Sequence, residues 1–286
     1  MLSNNVSCFI GCDKALKQAT TVLFGAPFDS TTSYRPGTRF GSAAARQESF
    51  GMETYSPYQQ RDLEDALVLD TGDLELCFGN PQRALEQIAQ RTEEILQLGK
   101  RPFLIGGEHL VTLGAFHSVV KRYPQVCMIH FDAHADLRKE YLGEKLSHAC
   151  VLRRCWELVG DGRIFQFGIR SGEREEFSWG KEHVSTHCFD FEGLEETLER
   201  LKGLPVYFTL DLDVLDPSVF PGTGTPEPGG VPFDALRRAV TAVCSQTHIV
   251  GCDVNELSPH YDPSGISVMA CCKIIREMLL AFPKEK

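Results

Sequence analysis

Lysines and arginines never stand more than two in a row in this chain, and acids outnumber them 39 to 29, for a formal charge of -10. Lacking a basic tract, the sequence offers little to a phosphate backbone or an anionic membrane surface, so neither is expected as a partner. An acidic field suits a small cation instead. No apolar run approaches the roughly 18 residues of a membrane span, and residues 1–19 have neither the basic start nor the apolar centre of a leader. A soluble, cytoplasmic protein is expected. The cysteines number 11, an odd count without a C-x-x-C pair, and several, such as Cys127 and Cys244, sit inside apolar segments. That pattern argues against a disulfide framework and fits small buried thiols in a reducing compartment. No Pro/Ser-rich linker interrupts the alternation of strand-like and helix-like segments, so residues 1–286 are read as one α/β domain.

What the chain does have is acids and imidazoles at the ends of apolar runs. Val126-Cys127-Met128-Ile129 leads into Phe131-Asp132-Ala133-His134-Ala135-Asp136. In an extended backbone successive side chains alternate faces, which would put Asp132, His134 and Asp136 on one side. Alone, D-x-H-x-D is equally a polar strand end facing water. A second run, Pro205 to Leu210, also ends in alternating carboxylates, Asp211 and Asp213, and a third, Pro102 to Ile105, ends in Gly106-Gly107-Glu108-His109. A parallel sheet gathers the C-terminal ends of its strands along one edge, where sites are found. Six residues, His109, Asp132, His134, Asp136, Asp211 and Asp213, are thereby predicted to converge. Crowded carboxylates and imidazoles repel unless cations hold them together. The set is oxygen-rich, without thiolate, and exceeds the needs of one tetrahedral ion. Two ions sharing carboxylates fit better, and manganese suits both donor types. Two such ions about 3.5–4 Å apart lower the pKa of a shared water, which makes metal-assisted hydrolysis the expected reaction class.

The remaining segments fill out the scaffold. Thr21 to Pro27 reads as a buried strand, followed by a Ser/Thr/Gly/Arg-rich loop, Asp29 to Gly41, that either borders a pocket or simply connects elements. Ala66 to Leu69 reads as a short strand. Residues 80–99 form a helix with Asn80 as N-cap, Pro81 in its first turn, Leu85, Ile88, Ile95 and Leu98 on an apolar stripe, and Gly99 at its close. Further helices are read through Val119, over Cys150 to Val159, over Pro232 to Gln246 and over Gly265 to Ala281, the last with Arg276 and Glu277 on its polar side. Strands are read at Ile164 to Ile169, with Arg170 at its end as a structural or entrance residue, and at Ile249 to Val254, which delivers Asn255 and Glu256 to the same edge. The Pro/Gly tract after Asp216-Pro217 reads as a rigid wall. His130, deep in its strand, reads as a buried, hydrogen-bonded histidine. His117 reads as structural or exposed, and His183, His187, His248 and His260 carry no chemistry.

Together, G-G-E-H at 106–109, F-D-A-H-A-D at 131–136, T-L-D-L-D-V-L-D-P at 209–217 and P-G-T-G-T-P-E-P-G-G at 221–230 resemble the ureohydrolase family, which contains arginases and agmatinases. G-A-P-F-D at 25–29, R-P-G-T-R-F-G at 35–41, S-H-A-C at 147–150, G-I-R-S-G at 168–172 and D-V-N-E-L at 253–257 follow in the family's order. The resemblance implies an arginase-like α/β fold, a three-layer α/β/α sandwich around a mainly parallel sheet of roughly eight strands. It implies a homotrimer or homohexamer, and two Mn2+ ions on the six residues named above. His148, on its residues alone a helix-start histidine, becomes a proton shuttle. Glu256, otherwise a surface glutamate, becomes the carboxylate that pairs with a substrate guanidinium. Asp136 is also placed to relay a proton to the leaving amine.

The activity so implied is cleavage of agmatine to putrescine and urea, a step toward polyamines. Arginases of the family place an asparagine two residues after the third carboxylate and a serine-containing loop beyond it, to read the carboxylate of arginine. Leu137 to Glu144 (L-R-K-E-Y-L-G-E) has neither, which favours the decarboxylated substrate. Arg138 keeps a second substrate class open, because an arginine there grips a carboxylate and points to a guanidinobutyrase. Arginase activity also stays open, as does a non-enzymatic, metal-binding regulatory relative. For the last, eroded ligands are expected, and none is eroded. A single-metal deacetylase of similar topology would have no use for His109, Asp136 and Asp213 together.

Overall fold

A computed structural model describes residues 7–283. The ends of the expected domain, residues 1–6 and 284–286, and with them the beginning of the 1–19 segment, lie outside the described residues. In chain order the elements are β1 (Thr21–Gly25), α1 (Gly41–Ser49), β2 (Tyr55–Ser56), β3 (Arg61–Asp62), β4 (Val68–Asp73), α2 (Pro81–Gln97), β5 (Arg101–Ile105), α3 (Val111–Arg122), β6 (Cys127–Phe131), α4 (Val151–Val159), β7 (Ile164–Ile169), α5 (Arg174–His183), β8 (Ser185–Cys188), α6 (Leu194–Arg200), β9 (Pro205–Asp211), α7 (Phe233–Gln246), β10 (His248–Asn255) and α8 (Ile266–Ala281). Eight strands form one sheet in the order β4-β1-β5-β10-β9-β6-β7-β8, with every pairing parallel. The two remaining strands, β2 and β3, pair antiparallel beside it.

A parallel sheet covered on both faces needs strands that are apolar on both sides, and these are. Along β1, Val22 and Phe24 enter the core shared with α2, α3 and α4, while Leu23 enters the core shared with α1, α7 and α8. Likewise Met128 and Tyr207 face the first core, and Ile129 and Phe208 face the second. The result is the expected three-layer α/β/α architecture. No helix among the described residues is long and apolar enough to cross a membrane. All of the cysteines are free thiols, most of them buried.

Local chemistry explains the helix limits. Asn80 accepts a hydrogen bond from the backbone N–H of Arg83 at 3.0 Å, Pro81 occupies the first turn, and Leu85, Ile88 and Ile95 are buried. Leu98 departs from expectation: it is the C-cap and lies exposed, and Leu96 packs inward instead. The short strand read at Ala66 to Leu69 instead starts at Val68 and runs on to Asp73 as β4, paired with β1 out to Gly25. Arg46 of α1 satisfies its acids, meeting Asp70 at 2.8 and 3.0 Å and also pairing with Asp73.

Arg276 and Glu277 do not lie on a polar side of α8. Both are buried, and the Arg276 guanidinium pairs with Glu277 at 2.7 Å while donating to the carbonyls of Glu53 and Tyr55. Glu277 also accepts from Ser56 and Gln59, each at 2.8 Å. A helix that is apolar all round is buried all round, so its two charges must satisfy each other and the β2–β3 segment.

Candidate metal centre

The four central strands, β5, β10, β9 and β6, finish level with one another. Ile105 lies beside Val254, Val254 beside Leu210, and Leu210 beside Phe131. The residues just beyond therefore emerge at one edge of the sheet: His109 after β5, Glu256 after β10, Asp213 after β9, and Asp132, His134 and Asp136 after β6, beside Asp211 at the end of β9 itself. The G-G pair before Glu108 is needed because a Cβ on Gly107 would stand 2.0 Å from the Phe28 carbonyl oxygen.

The six predicted residues do converge, by a different geometry from simple strand alternation. β6 ends at Phe131, and Asp132 to Asp136 is a loop pinned to the end of β7, with Ala135 N–H donating to Ser171 O at 3.0 Å. Asp136 itself sits at φ 53° and Glu256 at φ 66°, left-handed conformations that cost non-glycine residues on the order of 1–3 kcal/mol each and cluster at functional sites. Two groups share Asp132. Its Oδ2 lies 3.0 Å from His109 Nδ1, which also meets Asp136 Oδ2 at 3.1 Å and Asp211 Oδ2 at 3.5 Å. Its Oδ1 lies 3.4 Å from His134 Nδ1, which meets Asp213 Oδ2 at 3.0 Å. A carboxylate with one oxygen toward each imidazole is the arrangement a bridging ligand needs.

Buried partners fix the donor atoms. Thr209 gives its hydroxyl proton to the Asp253 carboxylate at 2.6 Å, so it receives from His109 Nε2 at 2.9 Å. That turns His109 Nδ1 toward the carboxylates, where it would be the donor atom to a cation. Asp253 is held in turn by Tyr207 at 2.5 Å and Asn255 at 2.7 Å. His130 lies close enough to His109 and Asp132 for their ligand atoms to fall within 4.8 Å of one another. Both of its nitrogens are already used, however. Gln166 Nε2, oriented by its bond to Ala135 O at 2.8 Å, donates to His130 Nδ1 at 3.0 Å, so His130 Nε2–H must donate to Asp132 at 2.8 Å. As expected, His130 is a satisfied core histidine, and it aims Asp132.

The electrostatics describe a cluster that wants positive charge. Burial would raise Asp132, but its hydrogen bonds to His109, His130 and His134 outweigh that and hold it well below the usual carboxylate range. Burial, then Asp213 and Asp132, pushes Asp211 well above that range, and burial with the nearby Asp132 lifts Asp136 to about 7. Burial likewise pushes Glu256 well up, with Asp213 and Glu108 adding to it. Fully ionised, such a set is stable only around cations. Hard oxygens and neutral imidazole nitrogens fit divalent first-row ions.

His109, His134, Asp136 and Asp211 line a cavity of about 220 Å³ together with His148, Ser33 and Glu256. Glu256 accepts from the His109 backbone N–H at 2.7 Å. His148 faces Ser33 Oγ at 3.1 Å, and its backbone N–H donates to Thr31 Oγ1 at 3.1 Å. Thr31 is bonded to Glu108, a buried acid whose role inside G-G-E-H the sequence alone does not show. The 29–41 loop therefore does border the pocket. Burial pushes the His148 imidazole down to about 4. Arg170 proves structural, tying the Asp213 and Glu227 carbonyls together at 2.7 Å each and bracing the Pro/Gly wall. Asp253, Thr209, Gln166 and Glu108 escape sequence reasoning because their roles depend on which strands are neighbours.

The chain is similar to known proteins over nearly its whole length. Residues 19–281 match the model of the arginase family. The agmatinase of Bacillus subtilis (strain 168) is 47% identical over 280 residues, 96% of each chain, and that of Bacillus anthracis 45% over 279 residues, again 96% of each. The crystal structure of the agmatine ureohydrolase of Thermoplasma volcanium superposes with a TM-score of 0.87 at 32% identity, covering 97% of this chain and 94% of that one. With the fold, the convergent strand ends and these relatives in agreement, the chain belongs to the arginase family.

Proposed function

We propose that the chain is a binuclear manganese hydrolase that converts agmatine to putrescine and urea, a single-domain cytoplasmic enzyme working as a homotrimer or homohexamer on the way to polyamines. The observation that carries this reading is one cavity onto which His109, His134, Asp136 and Asp211 open together with a buried carboxylate, Glu256. His109 and Asp136 would hold one ion, His134 and Asp213 the other, with Asp132 and Asp211 shared. Bound there, the ions would supply Lewis acidity and an activated nucleophile at neutral pH. Glu256 pairs with the planar guanidinium, one of its oxygens held by the His109 backbone N–H. Asp136, which lines the same cavity, passes a proton to the leaving amine. The agmatinase relatives support agmatine as the substrate.

The test is urea release from agmatine, arginine and 4-guanidinobutyrate, compared by kcat/KM at equal manganese loading. Agmatine should lead. If either acid exceeds it, the substrate assignment is wrong, and the reaction class stands.

His148 moves protons between the cavity and solvent. Burial keeps it neutral at pH 7, so it would carry a proton only in transit, with its ring facing Ser33 and its backbone held by Thr31. His148→Asn should lower turnover on the order of 10²-fold, with partial recovery in imidazole buffer. A negligible loss without such recovery removes the shuttle role.

A further inference from the structure

Resting on the reading just given, we propose that Glu173 selects a cationic over an anionic substrate tail by holding Arg138 as its counter-ion at the mouth of the cavity. Arg138, Glu173, Glu176 and Tyr141 line the same cavity as Glu256. A guanidino substrate with its head at Glu256 extends its tail toward them. Arg138 is the basic residue of the 137–144 loop that lines this cavity, and it is already engaged. Its Nη1 lies 2.7 Å from Glu173 Oε1, its Nε lies 3.6 Å from Glu176 Oε2, and its guanidinium carbon stands 4.9 Å from the Tyr141 ring centroid.

The two acids differ. Glu176 is buried and committed to the backbone, accepting from Leu137 N–H and from Glu173 N–H at 2.8 Å each. Its job is to start α5 and to tie that helix to the loop after Asp136. Glu173 is the N-cap of α5 and its side chain also accepts from the Glu176 N–H, but it is more than half exposed, and glutamine keeps the accepting oxygen, so its charge can be removed without uncapping the helix or emptying the core. While it is charged, an anionic tail that reaches Arg138 comes up beside the Glu173 carboxylate and competes with it for the guanidinium. A cationic tail meets an acid instead. Selectivity then comes from a repulsive element as much as an attractive one.

Three guanidines with the same head and similar length test this: agmatine, butylguanidine and 4-guanidinobutyrate, with cationic, neutral and anionic tails. In Glu173→Gln the kcat/KM ratio of agmatine to 4-guanidinobutyrate should fall on the order of tenfold or more, agmatine losing and the acid gaining, while butylguanidine changes least. Arg138→Gln should move the ratio the other way, and adding it to Glu173→Gln should erase the gain for the acid. A parallel change for all three substrates, or an unmoved ratio in both single variants, overturns the role of Glu173. That outcome leaves agmatine hydrolysis intact. If the unaltered protein releases urea from none of the three, both readings fall together.

Discussion

Stripping divalent cations from the protein should abolish urea release, and returning manganese should restore it better than zinc or magnesium. The residues give a graded version of the same experiment. Asp132 touches both halves of the cluster, Oδ2 toward His109 and Oδ1 toward His134. Asp132→Asn removes the negative charge both halves share and replaces one acceptor oxygen with an N–H donor. It should therefore empty both positions, with metal content falling toward zero. Its partner His130, itself a donor, would then face either a carbonyl or a competing N–H. His109 meets Asp132, Asp136 and Asp211 but is not the nearest partner of Asp213, so His109→Asn should mainly weaken one position. Metal content of the purified variants, measured beside their activity, decides it. Full hydrolysis by a metal-free preparation would sink the mechanism, and equal loss from both variants would sink the division of the cluster into two halves.

Much of this centre is legible in the sequence because parallel strands announce themselves. A short apolar run closed by an acid or imidazole needs little more than the rule that such strands end along one edge. The alternation that selects Asp132, His134 and Asp136 picks the right residues for an incomplete reason. The strand stops at Phe131, and it is a loop with Asp136 at positive φ that swings the last carboxylate round to His109. Alternation cannot see that, since it assumes an extended chain. The supports are not legible. Thr209 reaches His109, and Gln166 reaches His130, only once β9, β10, β6 and β7 are known to be neighbours in register. Arg276 and Glu277 defeat the sequence for another reason. In a helix with an apolar residue on nearly every face, adjacent opposite charges signal a buried pair rather than a solvent side, and the periodicity itself carries that warning.

Glu256→Gln should leave metal content normal and yet remove most of the activity. The carboxylate is buried against the backbone of His109, whose N–H donates to Oε1 at 2.7 Å. Burial pushes its carboxyl well above the usual range, so an arriving cation is what makes the ionised form favourable there. Two charge-assisted hydrogen bonds to a guanidinium contribute roughly 1.5–3 kcal/mol each, or about 3–6 kcal/mol together, which corresponds to on the order of 10²–10⁴-fold in kcat/KM. Glutamine keeps the size and the positive φ, so the backbone strain at this position is unchanged. Its carbonyl can still receive the His109 N–H, and in doing so it turns the amide N–H₂ toward the guanidinium, donor against donor. The loss should therefore fall on every guanidino substrate alike, whatever its tail, in contrast to the tail-dependent effect expected at Glu173. A variant with normal metal content and unaltered kinetics would mean that the guanidinium is held elsewhere in the cavity.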